Sequence, residues 1–258
     1  MATLADRMPI PARNDDGFFL KSAIAMAFVI IAGFSVQFAM GRSSFSAPPL
    51  VHAHAIVFMG WMVIYVAQNA FVARGNIAMH RKLGWIAAGW MVLMVVLGCL
   101  VTVAMVQGGR VPFFFLPQQF LIFDPLTLFG FAGLTAAAIA KRKQTDWHRR
   151  LHFCAMTILV GPAFGRLLPA PFLIPWVFDA TFAATMLFPA AGVIADLRRS
   201  GRVHPAWWWG IGANVAILIA VHLLTNSAIG DGLYAAVTAG TPGAAVAPLD
   251  FPPLPPGL

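Results

Sequence analysis

Residues 148–153, with the sequence HRRLHF, decide how this chain is interpreted, and residues 80–85, HRKLGW, repeat their pattern 68 positions earlier. Both hexapeptides end a short polar stretch and begin a long apolar one. Each also follows a further group of cations, which is Arg74 in the first case and residues 141–143, KRK, in the second. Two copies of one arrangement predict an internal repeat of parallel helical hairpins in a membrane.

The composition also favours a membrane protein. Of the 258 residues, 60% are hydrophobic and 10% are charged, and the mean hydropathy is +0.80. A soluble domain of this length carries far more charge. Apolar runs of about 20 residues, enough to cross about 30 Å of hydrocarbon, occur repeatedly. The sequence therefore predicts an all-α polytopic protein with seven transmembrane helices, at residues 18–40, 50–73, 83–107, 119–140, 150–168, 172–195 and 206–229.

The distribution of the cations predicts the orientation of these helices. With the N-terminus in the cytoplasm and the C-terminus in the periplasm, only Arg42, Arg110 and Arg166 of the 17 cations lie outside. This asymmetry is typical of a multi-pass protein of the bacterial inner (cytoplasmic) membrane. The net charge of +8 is thereby explained by orientation and by contact with the lipid bilayer, and we expect no nucleic-acid partner. The predicted inner cations are Arg7, Arg13, Lys21, Arg74, Arg81, Lys82, Lys141, Arg142, Lys143, Arg149, Arg150, Arg198, Arg199 and Arg202.

The chain divides into three parts. Residues 1–17 are polar and form a predicted cytoplasmic tail, and residues 18–229 form the seven-helix transmembrane domain. Residues 230–258 are rich in Gly, Ala and Pro and form a predicted periplasmic tail, either disordered or laid over the outer face.

Several polar residues are expected at one depth in the outer third of the bilayer. Counted at about 1.5 Å per residue, His54 lies about 6 Å below the outer surface. Asp124, Asp179 and His222 lie about 8 to 10 Å below it, and Arg166 lies close to the same level. Ionisable side chains in a membrane tend to face the bundle interior and to mark function. The sequence therefore predicts an outward-facing polar pocket.

This pocket has three interpretations. His54 and His222 could bind one b-type haem, with Arg166 at its propionates, since neutral imidazole is the usual ligand of haem iron. The same histidines, with Asp124 or Asp179, could instead bind copper, zinc or iron. His52 is a further candidate ligand, although two residues along a helix is a rotation of about 200°, so His52 and His54 cannot share a face. The structural alternative is an ion pair between Arg166 and Asp179, with the other groups buried for packing.

The inner side offers a second set of histidines, His80, His148 and His152. His148 and His152 are four residues apart and therefore share one face of a helix. A second haem or a quinone could bind there. The alternative is that basic hexapeptides at helix starts are interfacial anchors, whose long side chains extend towards lipid headgroups.

Four segments carry a resemblance to a known family: residues 54–61 (HAIVFMGW), 74–85 (RGNIAMHRKLGW), 146–151 (DWHRRL) and 161–166 (GPAFGR). Over residues 50–170 the chain resembles a family of uncharacterised bacterial polytopic membrane proteins with repeated His-Arg-x-Leu helix starts. It is more distantly similar to transmembrane b-type cytochromes, which hold haem between histidines of neighbouring helices. It departs from them because its histidines cluster at helix ends.

Three hypotheses for function follow. The first is a membrane redox protein that binds a b-type haem or a quinone, with the site in the outer polar pocket. The second is a transporter or enzyme that handles a metal ion or a small molecule. The third is a non-catalytic accessory subunit of a larger membrane complex.

Overall fold

The structure, a computed structural model, describes residues 15–42 and 45–254, and it is all-α in these ranges, as predicted. Arg7 and Arg13 lie outside the described residues, as do most of the predicted tail 1–17 and the last four residues. The described part of the chain forms α1 (Asp16–Ala39), α2 (Pro49–Ala73), α3 (Ile77–Gln107), α4 (Pro117–Ala140), α5 (Thr145–Leu167), α6 (Ala170–Leu173), α7 (Val177–Ser200), α8 (Pro205–Thr225), α9 (Ala228–Thr238) and a 3-10 helix (Pro242–Ala245).

Six of the described helices, α1, α2, α3, α4, α7 and α8, are long and apolar enough to cross a membrane. The fifth predicted span, residues 150–168, corresponds to α5, which is not among them. This helix begins at Thr145 and therefore carries Asp146, Arg149 and Arg150 in its first two turns. Those charges, together with Arg166 near its end, lower its hydropathy although most of the residues between them are apolar.

Helix α5 nevertheless lies at the centre of the bundle, where it packs against α1, α4, α7 and α8. An unbroken run of its residues, 153–157, is buried. Because neighbouring helices surround α5, its polar side chains meet protein rather than hydrocarbon, which removes most of their cost. The helix at the centre of the bundle, α5, is thus the least apolar of the long described helices.

One end of the bundle, here called the basic end, is where α1, α3, α5 and α8 begin and α2, α4 and α7 end. Contacts between helix termini define it. At the start of α5, the His148 ring lies 2.8 Å from the carbonyl oxygen of Ala138 near the end of α4. The next turn of α5 reaches the end of α7, where Arg150 donates to Asp196 at 2.7 Å.

The arginines of the second hexapeptide, Arg150 buried and Arg149 partly buried, pair with carboxylates of the bundle. Arg150 is only 5% exposed and donates from Nε and Nη2 to the two carboxylate oxygens of Asp196, at 3.0 and 2.7 Å. The indole of Trp207 donates to the same carboxylate at 2.9 Å. Arg149 forms ion pairs with Asp15, Asp16 and Asp146. This network joins α1, α5, α7 and α8.

The sixth predicted helix, residues 172–195, is displaced along the sequence. The chain leaves α5 through Pro169, forms the single turn α6, and enters α7 only at Val177, after Pro175. Proline has no amide hydrogen and disfavours helical geometry in the residue before it, so a helix here begins after the last proline. It continues to Gly201, whose φ of +66° ends it.

The segment after residue 229 is ordered where it is described, and it lies on the end of the bundle opposite the basic end. Helix α9 packs against α3, α4 and α8. Gln118, fully buried at the start of α4, donates to the carbonyl oxygen of Thr225 and to Asp231, both at 2.8 Å. Helix α9, within the predicted tail 230–258, therefore packs on this end of the bundle.

Close packing of α1 against α5 depends on Gly33. A Cβ atom added at Gly33 would lie 2.7 Å from the backbone oxygen of Ala163, whereas one added at Gly133 in α4 would meet no atom within 4 Å. We expect Gly33→Ala to lower the free energy of unfolding by about 1–3 kcal/mol, because a backbone clash forces the helices apart. Gly133→Ala, the matched control, should leave it unchanged or raise it by up to about 1 kcal/mol. Thermal unfolding in detergent measures both, and equal effects would contradict the proposed close approach.

Candidate functional site

The two hexapeptides lie at the basic end, at equivalent positions of α3 and α5. Asn76 caps α3 by accepting a hydrogen bond from the Met79 amide at 3.2 Å, which sets the first helical residue at Ile77. Helix α5 begins at Thr145. His80 and His148 are thus each the fourth residue of their helices, and their side chains are placed one turn inside the basic end.

The side chains of these two histidines are neighbours inside the bundle. The ring centroids of His80 and His148 are 6.1 Å apart, and the ring planes are nearly perpendicular, at 83°. The His152 ring lies 6.1 Å from that of His148 on the same face of α5, as their spacing predicts. His152 in turn makes edge contacts with Trp61 and Tyr65 of α2. All three predicted inner histidines therefore lie in one cluster.

These histidines line a cavity of about 70 Å³ between α2, α3, α4 and α5. We call it the histidine pocket. The remaining walls are polar groups from α2 and α4 and small residues from α3. Its lining consists of Trp61, Gln68, His80, Gly84, Ala87, Ala88, Thr135, Ile139, His148 and His152.

Unsatisfied polar atoms converge on this pocket. Among the described residues, ten buried side-chain nitrogen and oxygen atoms have no hydrogen-bond partner, and five of them belong to pocket residues. A buried polar group without a partner costs about 1–3 kcal/mol, so such groups rarely gather without a ligand or ordered water. The five atoms are Nε1 of Trp61, Oε1 of Gln68, Nδ1 of His80, Oγ1 of Thr135 and Nδ1 of His152.

The tautomer of His148 follows from its surroundings. Its Nδ1 lies 2.8 Å from the carbonyl oxygen of Ala138, which can only accept a hydrogen bond, so Nδ1 carries the proton. The Nε2 atom of a neutral His148 is then an acceptor. Together with the indole N–H of Trp61, a donor only, the pocket therefore offers both donors and acceptors.

The predicted outer residues fall into two separate groups. In the first, Asp124 of α4 accepts a short hydrogen bond from Thr102 of α3, and its charge interacts with that of Arg166. The Arg166 guanidinium lies over the Phe34 ring at 4.2 Å from its centroid. His54 interacts electrostatically with Arg166, and its own ring is stacked on Phe58 at 4.0 Å.

The second outer group contains His222 and Asp179. The Nε2 atom of His222 lies 2.8 Å from a carboxylate oxygen of Asp179, and both side chains are partly exposed, at 41% and 33%. His222 lies on α8, which packs against α4, α5, α7 and α9, whereas His54 lies on α2, which packs against α1 and α3. Asp179 thus pairs with His222, while the charge next to Arg166 is that of Asp124.

The remaining candidate ligand, His52, contacts the carbonyl oxygen of Phe45 through Nε2 at 3.2 Å. Among the described residues, no group of three or more His, Cys, Asp or Glu side chains is arranged to hold a metal ion. The predicted metal ligands are therefore not assembled into one centre in the described chain.

Six long apolar helices define the class of this chain as a multi-pass membrane protein. Comparison with protein-family models, with curated proteins and with solved structures finds no match. The geometry of the histidine pocket is therefore the basis for a functional proposal.

Proposed function

We propose that this chain is a redox protein of the membrane that binds the head group of a quinone in the histidine pocket. The convergence of five unsatisfied buried polar atoms on one cavity carries the proposal. On this proposal the ligand binds at the basic end, whereas the sequence alone favoured the outer polar layer.

The chemistry of the pocket suits a quinone carbonyl. Trp61 can donate to a carbonyl oxygen, and His80 and His152 can donate to it or, in their other tautomer, accept from the hydroxyl of a quinol. Reduction of a quinone to a quinol takes up protons together with electrons, and imidazole is the side chain best suited to proton exchange near neutral pH. The electrons come from a redox partner or a further subunit.

The size of the cavity favours a ring edge over a larger group. Its volume of about 70 Å³ is well below the roughly 300 Å³ of a pocket that encloses a whole small ligand. It accommodates the carbonyl edge of a quinone, while the rest of the ring lies in the mouth formed by the partly buried Gly84, Ala88 and Ile139. Lipid-soluble quinones reach such a mouth from the bilayer.

A b-type haem is the second candidate, because two imidazoles that bind one metal from opposite sides at about 2 Å place their ring centroids about 6 Å apart. The His80 and His148 rings have this spacing. The cavity does not fit a complete macrocycle, which is why the quinone is preferred. The outer histidines offer no comparable pair, since His222 already uses Nε2 for Asp179.

We further propose that α5 is a seventh crossing of a bacterial inner membrane, with the basic end in the cytoplasm. Its 23 residues extend about 35 Å, which is enough to cross the hydrocarbon core. The exposed cations of the basic end then follow the positive-inside rule. On this topology the histidine pocket lies in the cytoplasmic half of the bilayer, and α9 lies in the periplasm.

Equilibrium binding of decylubiquinone to the purified protein in detergent, measured by calorimetry, tests the proposal. We expect His152→Phe to weaken binding about 10-fold or more and Gln68→Leu about 5- to 10-fold, since each removes a polar partner worth about 1 kcal/mol or more. His222→Phe, at the opposite end, is the matched control and should bind normally.

The absorption spectrum and metal content of the same preparation separate the alternatives. A Soret band in the wild-type spectrum that is lost in both His80→Phe and His148→Phe would indicate that the pocket binds haem instead of a quinone. Stoichiometric copper, zinc or iron without a Soret band would favour metal handling. Absence of binding, colour and metal would contradict a ligand site and favour an accessory subunit.

A further inference from the structure

Acidic and basic side chains are unevenly distributed around the basic end. Its described carboxylates, Asp15, Asp16, Asp146 and Asp196, lie on the side formed by α1, α5 and α7, where Arg149 and Arg150 pair with them. No Asp or Glu occurs between residues 17 and 123. The side formed by α2, α3 and α4 therefore has cations without carboxylates of its own.

Six cations lie on this second side, and all are exposed. None takes part in an ion pair between described residues. The contact between His148 and Ala138 and that between the His80 and His148 rings hold the start of α3 near the end of α4. The six are Arg74, Arg81, Lys82, Lys141, Arg142 and Lys143.

Exposed apolar side chains continue from these cations along α3. Trp85 is 70% exposed and Ile86 is 59% exposed, and they lie one helical turn after Arg81 and Lys82. Residues four apart share a helix face, so each cation is followed by an apolar side chain on its own face. Val92, Leu93, Val96 and Leu100 extend the exposed apolar surface of α3.

We propose that the start of α3 and the 141–143 loop form a binding site for a phospholipid with a negatively charged head group. The cations bind the phosphate, and the acyl chains lie along the exposed surface of α3. A soluble anion would gain nothing from Trp85 and Ile86, whereas an amphiphile uses both parts of the site. Each cation near an anionic headgroup contributes about 1 kcal/mol.

Native mass spectrometry of the whole protein with phosphatidylglycerol, and with phosphatidylcholine as the neutral reference, tests this proposal. We expect phosphatidylglycerol to bind preferentially to the wild type. Arg81→Gln with Lys82→Gln should weaken its binding about 10- to 30-fold, as expected for the loss of two cations. Lys141→Gln with Lys143→Gln, a second variant outside α3, should weaken it to a similar extent.

The matched control is Arg198→Gln with Arg202→Gln, which removes the same charge from two exposed positions at the end of α7 and beyond it. Equal weakening in this control would overturn the proposal, because it would show a general effect of surface charge. Competition by millimolar inorganic phosphate as effective as competition by the lipid would also overturn it, since the site would then bind a free anion. Retained binding in both test variants would exclude the site as well.

Discussion

Replacing Asp196 with alanine is expected to lower the free energy of unfolding by about 2–4 kcal/mol, because it removes the carboxylate that accepts from Nε and Nη2 of the buried Arg150 and leaves this guanidinium with Asp146 and Asp15 as its counter-ions. The Asp196 carboxylate, 4% exposed, accepts hydrogen bonds from Arg150, from the Trp207 indole and from the backbone amide of His204 at 3.2 Å. Burial, reinforced by the nearby Arg150, lowers the pKa of the His204 imidazole, whose Nδ1 accepts from the Ala206 amide.

Thermal unfolding in detergent measures this effect. Asp196→Asn should be less damaging than Asp196→Ala, because an amide oxygen still accepts hydrogen bonds although the charge is lost. Arg198→Ala is the control, since Arg198 is exposed on the same helix turn, and exposed charges contribute about 0–1 kcal/mol. If Asp196→Ala and Arg198→Ala unfold at the same temperature, the network is not a structural element of the fold.

The second large effect is expected at the polar group in the other half of the bundle. Asp124→Leu should lower the free energy of unfolding by about 1–3 kcal/mol, because it removes the carboxylate that accepts from Thr102 and interacts with the charge of Arg166. Arg166→Met should do the same by isolating Asp124. If the two charges compensate each other, the double variant Asp124→Leu with Arg166→Met should lie within about 1 kcal/mol of the wild type.

A complete double-mutant cycle measures this coupling. The partly exposed pair of Asp179 and His222 is the control, for which Asp179→Leu should cost about 1 kcal/mol or less. Strictly additive effects of Asp124→Leu and Arg166→Met would contradict an electrostatic coupling between the two side chains. They would indicate that Thr102 and Phe34, rather than the opposite charges, stabilise the two side chains.

The helices themselves could largely be predicted from the sequence. The second predicted span, 50–73, corresponds to α2 at Pro49–Ala73, and the fourth, 119–140, to α4 at Pro117–Ala140. Hydropathy does not identify a long helix that is surrounded by other helices of the protein instead of by lipid. Helix α5 is charged at its start because α1 and α7 supply its counter-ions, and no local pattern contains that information.

Helix α9 was missed for a related reason. Its sequence, AIGDGLYAAVT, has too few apolar residues to mark a membrane helix, and its two glycines disfavour a helix. Its stability depends on contacts that are distant in sequence, such as that between Asp231 and Gln118. The Ser227 side chain, which accepts from the Gly230 amide at 3.2 Å, was the one local signal for its start.

For the candidate site, the sequence by itself determined how far along its helix each polar residue lies and which of them share a helix face, because both follow from the rise and rotation of a helix. His148 and His152 therefore lie together as predicted. Only the tertiary structure decided which helices are neighbours, and with it that His80 meets His148 while His54 and His222 pack with different helices. Residues at the same depth lie together only if their helices pack and rotate towards each other, and that depends on side-chain packing across the whole bundle.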